Sequence, residues 1–427
     1  MHLTAIIAEY NPFHNGHAYQ IEKAKEATDA DYLIVVMSGD YVQRGTPAII
    51  DKYRRTEMAL SQGADLVIEL PLYYCLGSLE YFAESAVLLL DKLNIVDSLC
   101  FGSESGDITL LKSIAEYIEA NNGDVYKTAF HKYIRDGLSF PAAQEKALID
   151  TGLAADKAQI IKEPNNALAI AYLRVLIRRN SKMTPFTIKR IVSGYHDDDK
   201  GAYSSTAVRS ELMKKEALYD LALSTPDKVL QIMVSDFNKR FPIVENDFTG
   251  ALFYKLHSCY TLALQKYCDR DLARKNALTD YLDINEELSS RILSIYKEAL
   301  DFSDLCGKVK SKDITYTRVS RALMHVLLDI KAENLKAYIA DDFHYYARIL
   351  GLRDDNKRLA PLTHNLKLNT SLPLVTKLAD ADRIIETENG RKMLYENSQA
   401  SDLYEKTACK KYRQLFRSEY SKNIIKY

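Results

Sequence analysis

The first 107 residues alternate between short runs, near-continuously apolar at their centres, and longer stretches with helical spacing. The runs are LTAIIAEY (3–10), DYLIVVMSG (31–39), ADLVIELP (64–71) and DSLCFGSESGD (97–107). Between them lie GHAYQIEKAKEA (16–27), with Ala18, Ile21 and Ala24 on one face, and DKYRRTEMALSQG (51–63), opened by Asp51 and stopped by Gly63. A third helical stretch is AESAVLLLDKLN (83–94). Strands that are apolar on both faces belong in a parallel sheet covered by helices on both sides. The expected class is therefore α/β. FTIKRIVSG (186–194) reads as one more strand, after a helical insertion over about 108–182. From about residue 248 the strand signals stop, and segments such as TYTRVSRALMHVLLDI and DFHYYARILGL carry helical spacing. The expected division is an α/β domain over 1–235 and a mostly α-helical domain over 236–427.

Bulk properties narrow the setting. The chain has 427 residues, 47% hydrophobic and 27% charged, as an ordinary globular protein does. No apolar run approaches the ~20 residues that cross a bilayer, and the N-terminus lacks a basic-then-apolar leader pattern. Six cysteines occur without CxxC pairs, which argues against a disulfide framework or zinc knuckle and points to the cytoplasm. Residues 251–427 hold 30 Lys and Arg against 24 Asp and Glu, so the second half is mildly basic and the first acidic. That imbalance alone is too small to mark a nucleic-acid domain.

The strongest local signal is NPFHNGH (11–17), which joins the first apolar run to the first helix. Open parallel sheets bind ligands at the carboxyl ends of their strands, and a helix start offers unpaired N–H groups and partial positive charge. Gly16 admits close backbone approach, and His14 and His17 can donate N–H groups or charge to a phosphate. The chain has only nine histidines. A second element is GAYSSTAVRSELMKK (201–215), where Ser204, Ser205 and Thr206 read as caps of a helix with Val208, Leu212 and Ala217 inward and Arg209 one turn in. Hydroxyls at the mouth and a guanidinium behind make another anion cradle.

HNGH in the first turn and a late SSTAVR resemble the HIGH-type nucleotidylyltransferase superfamily, which has a Rossmann-like sheet. The words AEYNPFHNGHAYQI, MSGDYVQRGTPAIIDKYRRTEMAL, GADLVIELP, CFGSESGD, PNNALAIAYL and TIKRIVSGYHD, in that order, resemble the bacterial tRNA(Met) cytidine acetate ligases. TRVSRALMHVLL and YYARILGL extend the likeness more loosely into the second half. The resemblance implies that 1–235 is an ATP-binding catalytic domain and that 236–427 contributes to tRNA binding. It implies attack of acetate on the α-phosphate of ATP, release of pyrophosphate, and transfer of acetyl to the exocyclic amine of the wobble cytidine of elongator tRNA(Met). His14, His17 and Arg209 would be catalytic. ATP, expected to arrive with Mg2+, would contact Ile7, Ala8, Glu9, Tyr10, Asn11, Pro12, Phe13, His14, Asn15, Gly16, His17, Ala18, Tyr19 and Gln20. Gly102, Asn165, Arg190, Ser205 and Thr206 would complete that site. The two motifs taken alone also fit an adenylyltransferase acting on a phosphorylated cofactor precursor, or a non-enzymatic RNA- or nucleotide-binding module.

Other groups carry weaker expectations. Asp40, Gln43 and Arg44 follow the second strand and would face the same crevice. Lys52, Arg54 and Arg55 are expected to include at least one solvated helix charge. The acidic loop HDDD (196–199) precedes a helix, and no metal ligands are assigned. Arg318, Arg321 and His325 fall at i, i+3 and i+7, off the face of Val319, Leu323 and Val326, and form a stripe able to track RNA phosphates. Tyr345 and Tyr346 could stack on an unpaired base, although tyrosines at such spacing are more often core. The tail EKTACKKYRQLFRSEYSKNIIKY (405–427) reads as a solvated helix face or a backbone-tracking arm.

Overall fold

A computed structural model describes residues 1–136, 138, 140–190, 205–213 and 221–427. Ser204, Ala217, the acidic loop 196–199 and the stretch 191–194 of the expected fifth strand lie outside the described residues. The strands are β1 (Leu3–Ala8), β2 (Tyr32–Ser38), β3 (Tyr41–Val42), β4 (Thr46–Pro47), β5 (Leu66–Leu70), β6 (Ser98–Ser103), β7 (Thr184–Lys189), β8 (Ala347–Leu352), β9 (Leu374–Val375) and β10 (Ile425–Lys426). Eight of them make one sheet in the order β10-β8-β5-β2-β1-β6-β7, with β9 on β8, while β3 and β4 form a separate antiparallel pair. Burial explains the apolar runs: every residue of β2 and β5 is buried.

β1 is central. The chain runs from β1 to β2 and β5 on one side, then returns to place β6 and β7 on the other. The strand order therefore reverses beside β1, and the crevice beyond the carboxyl ends of β1 and β6 is the topological switch point where such sheets hold ligands. Helix α1 (Asn15–Thr28) follows β1 directly, and α2 (Lys52–Ser61) lies between β4 and β5. The Asp51 carboxylate accepts from the N–H groups of Tyr53 and Arg54, which fixes the start of α2. Over its described residues, the insertion before β7 is a run of helices joined by short turns, the last helix being Pro164–Arg178.

The strand signal does not stop at residue 248. ARILGL, inside a segment read as helical, is β8, which pairs antiparallel with β5; β9 and β10 follow it. The sheet thus crosses the 235/236 boundary expected from the sequence. The tail also departs from expectation. The helix Glu388–Tyr412 ends at a left-handed Arg413, after which Glu419 is buried and β10 closes the sheet edge. Among the described residues, no helix is long and apolar enough to cross a membrane.

Candidate active site

The turn between β1 and α1 is built around its own histidines. His14 is the N-cap of α1, and its Nδ1 accepts from the Gly16 N–H at 3.1 Å. His17, three residues on, returns the bond: its Nδ1 accepts from the His14 N–H at 3.3 Å. This reciprocal box satisfies helix-start donors that would otherwise be orphaned. The rings stack with centroids 3.8 Å apart and planes 22° apart. Because both Nδ1 atoms accept, each neutral ring carries its proton on Nε2. Tyr10 and Phe13 pack edge-on against His17 and hold the stack from below. Gly16 serves this arrangement sterically, since a Cβ there would come within 2.9 Å of His14 Cε1.

Burial and neighbouring cations keep both imidazoles neutral. His14 is 4% exposed. Burial, aided by Arg190 and Arg209, pushes its imidazole down to about 4. His17 is driven well below its ordinary value by burial, by His14 and by Arg190. At neutral pH the pair can therefore offer two N–H donors free of the desolvation penalty of a buried charge.

The second motif reaches this turn. In the helix Ser205–Met213, Arg209 donates from Nη1 to the Asn11 carbonyl at 2.6 Å and from Nη2 to the Thr206 hydroxyl at 3.0 Å. Ser205 and Thr206 open that helix, and Val208 and Leu212 are buried, as the spacing predicted. Asn11 is held in turn by the Ile49 N–H, which donates to Asn11 Oδ1 at 2.8 Å. Asn15 donates from its backbone to the Ser224 carbonyl and from its side chain to the Leu223 carbonyl.

Across the switch point, Gly102 on β6 lies under Arg190, whose Cγ would be 3.3 Å from a Cβ at that position. Any side chain there would press on the Arg190 stem. Asn165 opens the helix Pro164–Arg178, where Nδ2 donates to Glu104 Oε1 at 2.6 Å and the Glu104 carboxylate also accepts from the N–H groups of Asn165 and Asn166. Ile7 and Ala8 end β1, while Ala18, Tyr19 and Gln20 continue α1 partly buried. His14, His17, Arg190 and Arg209 thus surround the same strand ends, with Gly102 beneath. The arrangement can gather an anion with several charges while excluding water from one side of it.

Several residues sit elsewhere than their sequence context implied. Asp40 does not face the crevice: it is buried and accepts from the Lys52 N–H at 2.8 Å. Gln43 does border the site through its N–H, which donates to Glu9 Oε1 at 2.8 Å, and Arg44 is exposed with its charge felt at both Glu9 and Arg209. None of the α2 cations is merely solvated. Arg54 pairs with Glu57 and Asp236. Arg55 is fully buried and donates to the carbonyls of Glu9, Ser38, Gly39 and Ile50, tying together the ends of β1 and β2. Lys52, 1% exposed, bonds Glu69, Glu419 and Ser401 at 2.7–2.9 Å. Isolated charges in a helix give no sign of such burial; Glu9, Asp236, Ser401 and Glu419 come from distant parts of the chain.

The expected RNA-tracking stripe is corrected at one position. His325 is fully buried, with its ring nitrogens on the carbonyls of Leu282 and Leu76 at 2.8 and 2.9 Å, so it knits core loops together and faces no RNA. Arg321 is largely covered beside Asp283 and the Gly45 backbone, whereas Arg318 is exposed. Tyr346 is core, and Tyr345 donates to Asp341. Among the described residues, no group of three or more His, Cys, Asp or Glu could hold a metal ion.

Comparison with known proteins identifies the family. The family model described as HIGH Nucleotidyl Transferase matches residues 1–419. The tRNA(Met) cytidine acetate ligase of Clostridium novyi is 36% identical, covering 88% of this chain and 90% of that protein. The enzyme of the same name from Acetivibrio thermocellus is 37% identical over 100% of both. A crystal structure of Thermotoga maritima TmcAL bound with alpha-thio ATP superposes with a TM-score of 0.85 at 26% identity, covering 100% of this chain and 99% of that one. The chain belongs to the HIGH nucleotidyl transferase family and, within it, to the tRNA(Met) cytidine acetate ligases.

Proposed function

We propose that this protein is an ATP-dependent ligase that activates acetate as acetyl-adenylate and acetylates the exocyclic amine of the wobble cytidine of elongator tRNA(Met). The observation that carries the reading is the 2.6 Å bond from Arg209 to the Asn11 carbonyl, which brings the late helix against the histidine turn. In the first step an acetate oxygen bonds to the α-phosphorus, the bond to the bridging oxygen breaks, and pyrophosphate departs. Negative charge builds on the phosphoryl and leaving oxygens as this happens. The Nε2–H groups of His14 and His17 and the guanidinium groups of Arg190 and Arg209 are preorganised donors for that charge. Gly102 and Asn165 would border the nucleoside, and Ser205 and Thr206 the phosphates. Mg2+ would arrive on the phosphates, neutralising part of their charge. Arg318 and Arg321 would contribute to holding tRNA, and the enzyme would work in the cytoplasm, where tRNA is.

The test is direct. Incubation with ATP, labelled acetate and tRNA, followed by digestion to nucleosides, is expected to put label in N4-acetylcytidine. Absence of labelled nucleoside under conditions where ATP binds overturns the assignment.

A further inference from the structure

We propose that Glu9 is the general base of the second step, taking the proton that the cytidine amine must lose; this rests on the ligase reading above. In that step the amine nitrogen bonds to the acetyl carbon and the bond from that carbon to the phosphate oxygen breaks. AMP leaves with the electron pair, and the amine proton passes to the Glu9 carboxylate. Of the two steps only this one needs a base. Acetate is already ionised at neutral pH and attacks phosphorus without losing a proton, whereas an exocyclic amine becomes an amide only by giving one up.

The geometry singles out this carboxylate. Glu9 directly follows β1 at the switch point, and its main chain is clamped by Arg55, which donates to the Glu9 carbonyl at 2.6 Å. Oε1 is fixed by the Gln43 N–H at 2.8 Å, and no described residue bonds Oε2. Arg209 links the two sides of the site, since its charge acts on both His14 and Glu9. Arg190 acts on the imidazole pair, while Glu9 feels Arg44 and acts on the buried Tyr172. Tyr172 is 2% exposed, and its hydroxyl has no hydrogen-bond partner among the described residues. A carboxylate here opposes triphosphate binding, so a site built for the nucleotide alone would gain from its loss.

The groups facing Glu9 are Arg55 on α2, Arg44 between β3 and β4, Arg209, Tyr172 and Cys75. Burial outweighs the three arginines and raises the carboxyl above its ordinary value, which strengthens it as a base.

The experiment compares wild type with Glu9→Gln, which keeps an acceptor for the Gln43 N–H, and with Glu9→Asp. Each is given ATP and acetate with either hydroxylamine, which intercepts acetyl-adenylate without an enzymic base, or tRNA. For Glu9→Gln, transfer to tRNA is expected to fall roughly 10²-fold or more beyond whatever fall acetohydroxamate shows. Wild-type transfer is expected to rise with pH through the Glu9 titration, Glu9→Gln to lose that limb, and Glu9→Asp to recover part of the rate. Equal loss of both products in Glu9→Gln, or loss of neither, overturns the role of Glu9 alone. Wild type that forms no hydroxamate overturns the ligase reading and this proposal with it.

Discussion

Protonation of the histidine cap should weaken the fold on the acid side, and His14 sets the magnitude. In the unfolded chain an imidazole takes a proton near pH 6.5, whereas the folded site resists until about 4. Between those values the unfolded state binds more protons, so stability falls as pH falls from 6.5 to 4 and levels off below. At 1.36 kcal/mol per unit, the gap contributes about 3 kcal/mol. Other groups titrate in the same window, so the measurement is a difference. The unfolding free energy of wild type is compared with that of His14→Asn, which keeps a capping oxygen for the Gly16 N–H and cannot take up a proton there. The wild type is expected to lose about 3 kcal/mol more than the variant between pH 7 and pH 4. NMR should show the His14 ring titrating far below an exposed histidine. Parallel pH profiles, or a His14 ring that titrates near 6.5, would refute the picture of a dry, cation-flanked cap.

Arg209→Ala should slow acetyl-adenylate formation by about 10²–10³-fold, the range seen when one transition-state donor is removed, as read by acetate-dependent pyrophosphate release. Lys52→Met leaves Glu69 and Glu419 buried without their cation and should cost about 3–5 kcal/mol in denaturant unfolding. Arg318→Ala should weaken tRNA binding and reduce the slope of log affinity against log salt by about 0.7–0.9, with adenylate formation preserved.

Local chemistry was legible from the sequence wherever it alone decides structure. The apolar runs 31–39 and 64–71 are β2 and β5 to within two residues at each end, and HNGH falls at the helix start expected of it. Asp51 could be read as a cap because its partners are two and three residues away. The misreadings share a different cause. β8 resembles a helix in isolation and becomes a strand because β5, some 280 residues earlier, offers a free edge. His325 looks like part of a polar stripe until Leu76 and Leu282 supply buried carbonyls for both ring nitrogens. Lys52 and Glu419 look solvated until the tail returns to the sheet, and Arg55 until the ends of β1 and β2 offer it their carbonyls. Glu9, inside the best-matched motif, is conspicuous only once its cationic neighbours and the adjacent Tyr172 hydroxyl are seen around it.

The salt link from Lys52 to Glu419 spans 367 positions and lies in the interior, beside the sheet edge closed by β10. A ribosome adding ~5–20 residues per second needs about 20–70 s to make the second partner after the first. Throughout that interval the ammonium of Lys52 has no Glu419 to meet it. The buried charge cluster around Lys52, begun early in the message, is therefore complete only after synthesis has passed residue 419, and a nascent chain stalled earlier would be a client for chaperones.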